Sequence, residues 1–405
     1  MNSKYLFIAF ETALLCAFLH SMNCFWFWHV KLSYFFAIAI VCLLLYNKYN
    51  PQSIRISKNA IVVSVIFFVA QIYGYVDYVS ITSIISITIY SIIILSILSL
   101  KIDLQKRIFD FIYNSLAIIL LPSICLFVLV NSGIQLPNWG DIIHPTASFY
   151  WYTNYGLLLY GSYGVRFNAI FCEPGHLGMI LSFLLFVNGY NLKNKSTWIL
   201  LIALLLTLSL AGYVLVAMGY FLAQLKLNIK RTLKTFFKLA LLLIFIYGCI
   251  IGYNKGNNLV NDLIISRLQY DKSEGDFVGN NRASTSLERY YDSLKMSEFI
   301  YGIGNKRYMD ESANSVLDGA GYMLYIIKYG IIGVIAVFIF YFSVCQIADK
   351  RIRYEYISLL ILYVLSFLQR SYPFWTSEVF TFILANSIFL TRISINKSFI
   401  MKSAV

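Results

Sequence analysis

The chain has 405 residues, of which 59% are hydrophobic and 13% charged, with a mean hydropathy of +0.71. An ordinary soluble domain carries roughly 25% charged residues, so this composition excludes a water-soluble domain and predicts a polytopic integral membrane protein. The net charge of +13 does not point to nucleic acid, because Lys and Arg gather in short stretches between apolar runs, as at Lys226, Lys230, Arg231, Lys234 and Lys238 and at Lys350, Arg351 and Arg353. Cytoplasmic loops carry this bias.

Requiring roughly 20 apolar residues per crossing predicts helices over 5–20, 31–47, 59–76, 81–100, 110–131, 172–190, 239–253, 330–347, 357–370 and 376–391. Residues 197–225 form one apolar stretch with basic loops at both ends. A single crossing there would place one of those loops on the wrong side, so two short helices turning near Ser209 to Gly212 are expected. The expected fold is all-α: one transmembrane bundle over 1–405 of about 12 helices, with both termini cytoplasmic. No cleavable signal peptide is evident, since residues 5–20 lack a small-residue cleavage site. The aromatics that follow, Phe25, Trp26, Phe27 and Trp28, read as an interfacial belt. Neither the seven cysteines nor His20, His29, His144 and His176 are spaced for a disulfide framework or a metal site, so no metal and no cofactor are expected.

Two segments on the outer side are long enough to build a site: 132–168 and 254–318. The first leads through Arg166 to Glu173-Pro174-Gly175-His176 and an apolar helix. Pro174 suits a first helical turn. Glu173 then stands at the helix entry, as a general base, a partner of the helix dipole, or a salt-bridge partner that orients Arg166.

The second segment holds four Lys and four Arg against ten acidic residues, so its arginines are not explained by topology. Thr285-Ser286-Leu287-Glu288 is a capping-box pattern that predicts a helix start. Leu287, Tyr290, Tyr291 and Leu294 then form an apolar stripe. Arg282 and Arg289 bracket that start, either as a phosphate site beside a helix N-terminus or as solvated partners of Glu288 and Asp292. Gly302-Ile303-Gly304, Asp318-Gly319-Ala320-Gly321-Tyr322 and Gly330-Ile331-Ile332-Gly333 follow. Residues 320–329 are too few to span and read as a surface or re-entrant helix.

Together these pieces resemble the bacterial O-antigen and capsule polysaccharide polymerases, within the superfamily that includes the O-antigen ligases. The resemblance rests on Arg166-Phe167-x-x-Ile170-Phe171-x-Glu173-Pro174-x-x-x-Gly178, on Thr207-Leu208-Ser209-x-x-Gly212, on the arginine-bearing outer loop and on Gly330-Ile331-Ile332-Gly333, and it covers roughly residues 160–390. Many members place an Arg after the Ser of the break, whereas here Leu210 follows Ser209. Ligases commonly carry a His ahead of the Gly-Ile-Ile-Gly turn, and none stands in 318–322.

The resemblance implies a metal- and nucleotide-independent glycosyltransferase joining undecaprenyl-pyrophosphate-linked oligosaccharide repeats at the outer face of the membrane. The alternatives are a ligase that moves finished glycan to another acceptor and a transporter of the same pathway. On the polymerase reading the catalytic candidates are Arg166, Glu173, Arg282 and Arg289, and the substrate-binding candidates are His176, Arg267, Asp318, Tyr322 and Arg370. The expected partners are the lipid-linked glycans, the bilayer, and a chain-length regulator and flippase of the pathway. The topology is tested by a cysteine placed at Asn280: thiol reagents added to intact cells should label it, and protection from outside together with labelling from the cytoplasm would overturn the assignment.

Overall fold

The computed structural model describes residues 3–74, 80–145, 150–225, 284–313 and 321–402, with Leu317 and, between 225 and 284, residues 237, 241, 244–245, 247–258, 260–266, 269–271 and 276–277. The chain is mostly helical. Helices α1 (Ser3–Ser21), α2 (Leu32–Tyr49), α3 (Lys58–Tyr73), α4 (Ile81–Ser99) and α5 (Ile102–Asn131) come first. The strands β1 (Asp141–Ile143), β2 (Trp151–Asn154) and β3 (Leu159–Gly161) follow, and then α6 (Pro174–Val187), α7 (Lys195–Leu206) and α8 (Leu210–Leu225). The hairpin of β4 (Tyr270–Asp271) and β5 (Asp276–Phe277) precedes α9 (Thr285–Asp292), α10 (Met296–Tyr301) and α11 (Gly304–Ala313). Helices α12 (Tyr322–Ile347), α13 (Arg353–Phe367) and α14 (Thr376–Lys402) complete the chain.

Among the described residues, five helices, α1, α2, α4, α5 and α12, are long and apolar enough to cross a membrane. The expected count of about 12 spans is therefore corrected. For α3, α6, α7 and α8 the reason is length: they are apolar but have only 12 to 16 residues, or about 18–24 Å at 1.5 Å per residue, short of a hydrocarbon core of roughly 30 Å. The expected crossing at 239–253 falls largely outside the described residues. On α2 only Phe36, Ala39 and Leu43 are buried, while Ile38, Val41, Leu44 and Leu45 face outward. Ile118 and Leu121 on α5 and Val62 and Val65 on α3 do likewise. Contiguous outward apolar surface on this scale is stable against lipid and not against water.

The centre of the bundle is α6, every residue of which from Pro174 to Val187 is buried. A helix apolar around its whole circumference must be enclosed on all sides, and α7, α8, α13 and α14 enclose it. Its closest neighbour is α8: a Cβ on Gly212 would sit 3.2 Å from the Gly178 carbonyl carbon, so glycine on both helices permits the approach. Ser182 Oγ lies 2.7 Å from the Gly178 carbonyl oxygen and 3.0 Å from that of Gly212, tying the two together.

The break within 197–225 falls at Thr207–Ser209, where Leu208 takes φ 46°. Thr207 Oγ1 lies 2.6 Å from the Leu204 carbonyl oxygen and accepts from Ser209 N at 3.2 Å, which satisfies the interrupted backbone locally.

Two features depart from the expected all-α chain. The segment between α5 and α6 contributes a three-stranded antiparallel sheet in the order β1-β2-β3, with Tyr152 opposite Ile142 on one side and Gly161 on the other. In the second segment the helix start is capped by Ser284 and not by Thr285, since Ser284 Oγ accepts from Leu287 N at 3.1 Å. The apolar stripe packs on the bundle: Leu287 is fully buried against Leu324 and Ile327 of α12, with Tyr290, Tyr291 and Leu294 beside it.

Helix α12 is two helices joined at Gly330, whose φ of 65° and ψ of −176° are non-helical. Its first eight residues form the short helix expected before the crossing. At the joint the backbone of Gly302 meets that of Lys328 and Gly330, and a Cβ on either glycine would strike main chain. Ile303 N donates to the Ile327 carbonyl at 2.8 Å across the same contact. Gly330→Ala should cost roughly 1–3 kcal/mol in backbone strain, seen as a lowered unfolding midpoint in detergent, whereas Gly248→Ala, where nothing lies within 4 Å, should leave it unchanged; equal midpoints for the two variants would refute the contact.

Candidate functional site

Glu173 is delivered to the N-terminal end of α6 by a segment with little freedom. Residues Phe167 to Cys172 are all buried. Their backbone is pinned on three sides: Phe167 N donates to Leu206 O at 3.0 Å, Leu159 N to Ala169 O at 2.7 Å, and Phe25 N to Ile170 O at 3.1 Å. Ala169 adopts φ 52° within this segment. Glu173 is the N-cap of α6 and Pro174 its first residue, as the sequence predicts.

The Glu173 carboxylate gathers three side chains from separate parts of the chain. Arg370 Nη1 lies 2.8 Å from Oε2, Tyr150 donates its hydroxyl to Oε1 at 3.0 Å, and His176 Nε2 lies 3.5 Å from Oε2. Arg370 comes from the linker after α13, where its own N–H donates to Ser366 O at 2.9 Å. A Cβ on Gly175 would lie 2.5 Å from Arg370 Nη2, so glycine there lets the guanidinium lie over the first turn of α6. The pair is mostly buried, at 12% exposure for Arg370 and 17% for Glu173.

Burial by itself would raise the Glu173 carboxyl. The positive charges of His176 and Arg370 and the hydrogen bonds from Tyr150 and Arg370 outweigh it and hold the group at about 2. Burial and the adjacent carboxylate push the Tyr150 phenol up to about 12, so it stays a donor.

Aromatic rings wall the cluster. His176 meets Trp375 edge-on at 4.5 Å, and Trp375 stacks on Tyr372 at 4.5 Å with 14° between the planes. Arg370 is also where two clefts with mainly apolar walls meet. One runs along Val337, Tyr341, Leu360, Val364 and Phe367 to Glu378, and the other along Gly175, Met179, Ala211 and Leu215.

Arg166 is not oriented by Glu173. Its Nε donates to Thr207 O at 3.2 Å, and its guanidinium lies 5.8 Å from the Tyr163 ring centre. Thr207 is the C-cap of α7, where an outward carbonyl favours a cation. The arginine that pairs with Glu173 is Arg370.

Of the other candidates, His176 and Arg370 join Glu173 directly. Tyr322 opens α12 behind Gly321, whose Cβ position would lie 2.6 Å from Leu368 O, which brings the start of α12 against the linker that carries Arg370. Arg289 is exposed on α9, and among the described residues it makes no ion pair with Glu173. Arg267, Arg282 and Asp318 lie outside the described residues.

Sequence reasoning missed Tyr150, Tyr372, Trp375 and Glu378. The runs Tyr150-Trp151-Tyr152 and Tyr372-Pro373-Phe374-Trp375 carried an aromatic signal, but nothing in the spacing tied either to Glu173. Glu378, in the first turn of α14, is buried at the end of the cleft that begins at Arg370. Among the described residues no three His, Cys, Asp or Glu side chains converge as metal ligands.

The chain matches none of the protein families, curated proteins or solved structures compared with it.

The carboxyl of Glu173 is held below its ordinary 4.5. Its contribution to stability is therefore complete above the ordinary carboxylate range and disappears as pH falls toward about 2. The unfolding midpoint in detergent should fall through that window in the wild type. Arg370→Gln should flatten the fall and, by stranding a buried carboxylate, cost on the order of 3 kcal/mol at neutral pH. Superimposable pH profiles in the two proteins would show that the pair is not formed.

Proposed function

We propose that this protein is a glycosyltransferase that polymerises undecaprenyl-pyrophosphate-linked oligosaccharide repeats into a surface polysaccharide at the outer face of the inner membrane, with both termini cytoplasmic. The observation that carries the reading is the carboxylate–guanidinium pair of Glu173 and Arg370 at the entry of the central helix, walled by aromatic rings and set between apolar clefts. Such a site suits a reaction whose donor brings its own leaving group and whose substrate is half sugar and half lipid.

A hydroxyl of the incoming lipid-linked repeat attacks the anomeric carbon of the growing glycan. The new C–O bond forms as the bond to the carrier pyrophosphate breaks, and the pyrophosphate departs with the electron pair. Its growing negative charge is stabilised by fixed guanidinium groups, Arg370 foremost and Arg166 as a second, in a position where water is partly excluded. Glu173 receives the hydroxyl proton. Tyr372 and Trp375 offer flat apolar faces to sugar rings, and the outer-loop arginines, Arg289 among them, attract the anionic carrier.

Deletion should leave cells that make and flip single repeats but do not extend them, so the surface glycan ladder collapses to one unit. Absence of any repeat at the outer face would instead favour transport. With purified lipid-linked repeats, Arg166→Ala and Arg289→Ala should each abolish most chain extension, and Arg289→Lys should lose much of it, since the planar fork of Arg binds phosphate oxygens in pairs and Lys does not. Lys295→Ala, on an exposed residue of the same layer, should be mild. Full extension by both alanine variants at Arg166 and Arg289 would refute these roles.

A further inference from the structure

In the resting arrangement Glu173 is poorly suited to accept a proton. Its charge is shared with Arg370 at 2.8 Å and with His176 at 3.5 Å, and it accepts from Tyr150 at 3.0 Å. A general base works best when its proton affinity lies near the working pH. Arg370, for its part, cannot offer full charge to an incoming anion while a carboxylate holds it. Each group blocks the other, and Arg370 borders two small cavities.

We propose that the Glu173–Arg370 pair is a substrate-released latch: a phosphate or pyrophosphate group takes Arg370 from Glu173, and the freed carboxylate becomes the proton acceptor. Binding of the leaving group and activation of the base are then one event. An empty site holds a closed ion pair that neither binds a proton nor activates water. The remaining groups that face Glu173 are suited to the exchange. Tyr150 and His176 stay with the carboxylate after Arg370 moves; Tyr163, Tyr372 and Cys172 add no positive charge that could replace it, and His144, which also faces Glu173, is biased toward its neutral form by burial, against the pull of the carboxylate. The Arg370 guanidinium lies over Gly175 with no side chain beneath it and borders two cavities of only about 20 and 10 Å³, so its release from Glu173 requires the linker that carries it to shift. The aromatic pair Tyr372–Trp375 lies on the same linker, two and five residues further on, so a shift of Arg370 is felt directly by the wall that faces the sugar.

The identity of the nucleophile rests on the polymerase reading, but the exchange does not, and the test reads the exchange without any polymerisation. Purified protein in detergent is titrated with inorganic pyrophosphate and with an isoprenyl pyrophosphate. Glu173→Gln, which removes the competing charge and keeps the shape, should bind both at least about tenfold more tightly than wild type, while Arg370→Gln should bind at least about tenfold more weakly. Tighter binding of the isoprenyl compound than of inorganic pyrophosphate assigns the anion to a lipid carrier, and equal binding assigns it to a free phosphate. In the wild type, a carbodiimide that modifies protonated carboxyls should label Glu173 several-fold faster once pyrophosphate is bound, a readout independent of whether Glu173→Gln folds. Unchanged or weaker binding by a folded Glu173→Gln, or labelling that pyrophosphate does not accelerate, overturns the latch. A protein that shows the exchange but fails to extend lipid-linked repeats would retain the latch and lose the polymerase reading; one that extends repeats without the exchange would do the reverse.

Discussion

The approach of α6 to α8 at Gly178 and Gly212 is the contact on which the outer end of the bundle depends. With backbones this close, the break between α7 and α8 comes to rest beside the segment that carries Arg166, and Thr207 can offer its carbonyl to that guanidinium. The same contact fixes the height of the first turn of α6 and therefore of Glu173. A side chain at Gly212 would press on the main chain of Gly178, and one at Gly178 on the side chains of Ser209 and Thr207 at the break, and the displacement would pass along a buried helix with no free face to absorb it. Dense interiors transmit strain instead of dissipating it. Small residues thus do here what polar contacts do in a soluble core: they set position.

A buried ion pair is seldom the most stable filling for a site. Desolvation of two charges commonly matches or exceeds their mutual attraction, and well-packed apolar residues of similar volume often serve as well or better. Arg370 borders cavities whose walls would suit an apolar replacement, including Met179, Leu215, Val364 and Phe367. The charges also come from distant parts of the chain and converge with a phenol and an imidazole on a single carboxylate. Stability alone does not call for that arrangement, whereas a site that must handle an anion and a proton at the edge of an apolar bundle does.

Much of the fold was legible because helix periodicity and apolar runs are local. The segment boundaries of α1 to α4, the end of α5 and the double helix within 197–225 fall near where hydropathy and charge put them, while α5 begins at Ile102, eight residues before the expected 110. What hydropathy could not show was how many of those segments are long enough to span, because a turn at Leu208 or a stop after Val187 depends on tertiary contacts and not on composition. The small sheet was hidden for a related reason: strands of three or four residues carry too few alternations to register. In the site, Pro174 made the position of Glu173 readable. Its true partner was not, since Arg370 lies almost two hundred residues away and reaches the carboxylate only through the packing of α13 on α6.

The outer half of α12 joins the remaining parts into one mechanical unit. Leu324 and Ile327 bury Leu287, so α9 and its Arg289 ride on this short helix. The Gly302 backbone presses on the Gly330 joint, so the layer formed by α10 and α11 meets its other end. At its start, Gly321 lies against Leu368 O, at the head of the linker that holds Arg370, Tyr372 and Trp375. A bend at Gly330 therefore changes the position of the arginine-bearing layer and of the Arg370 linker together. Because the joint is a single glycine in a conformation that other residues resist, the coupling between the outer loop and the ion pair lies in backbone geometry. It persists whatever side chains line the path between them.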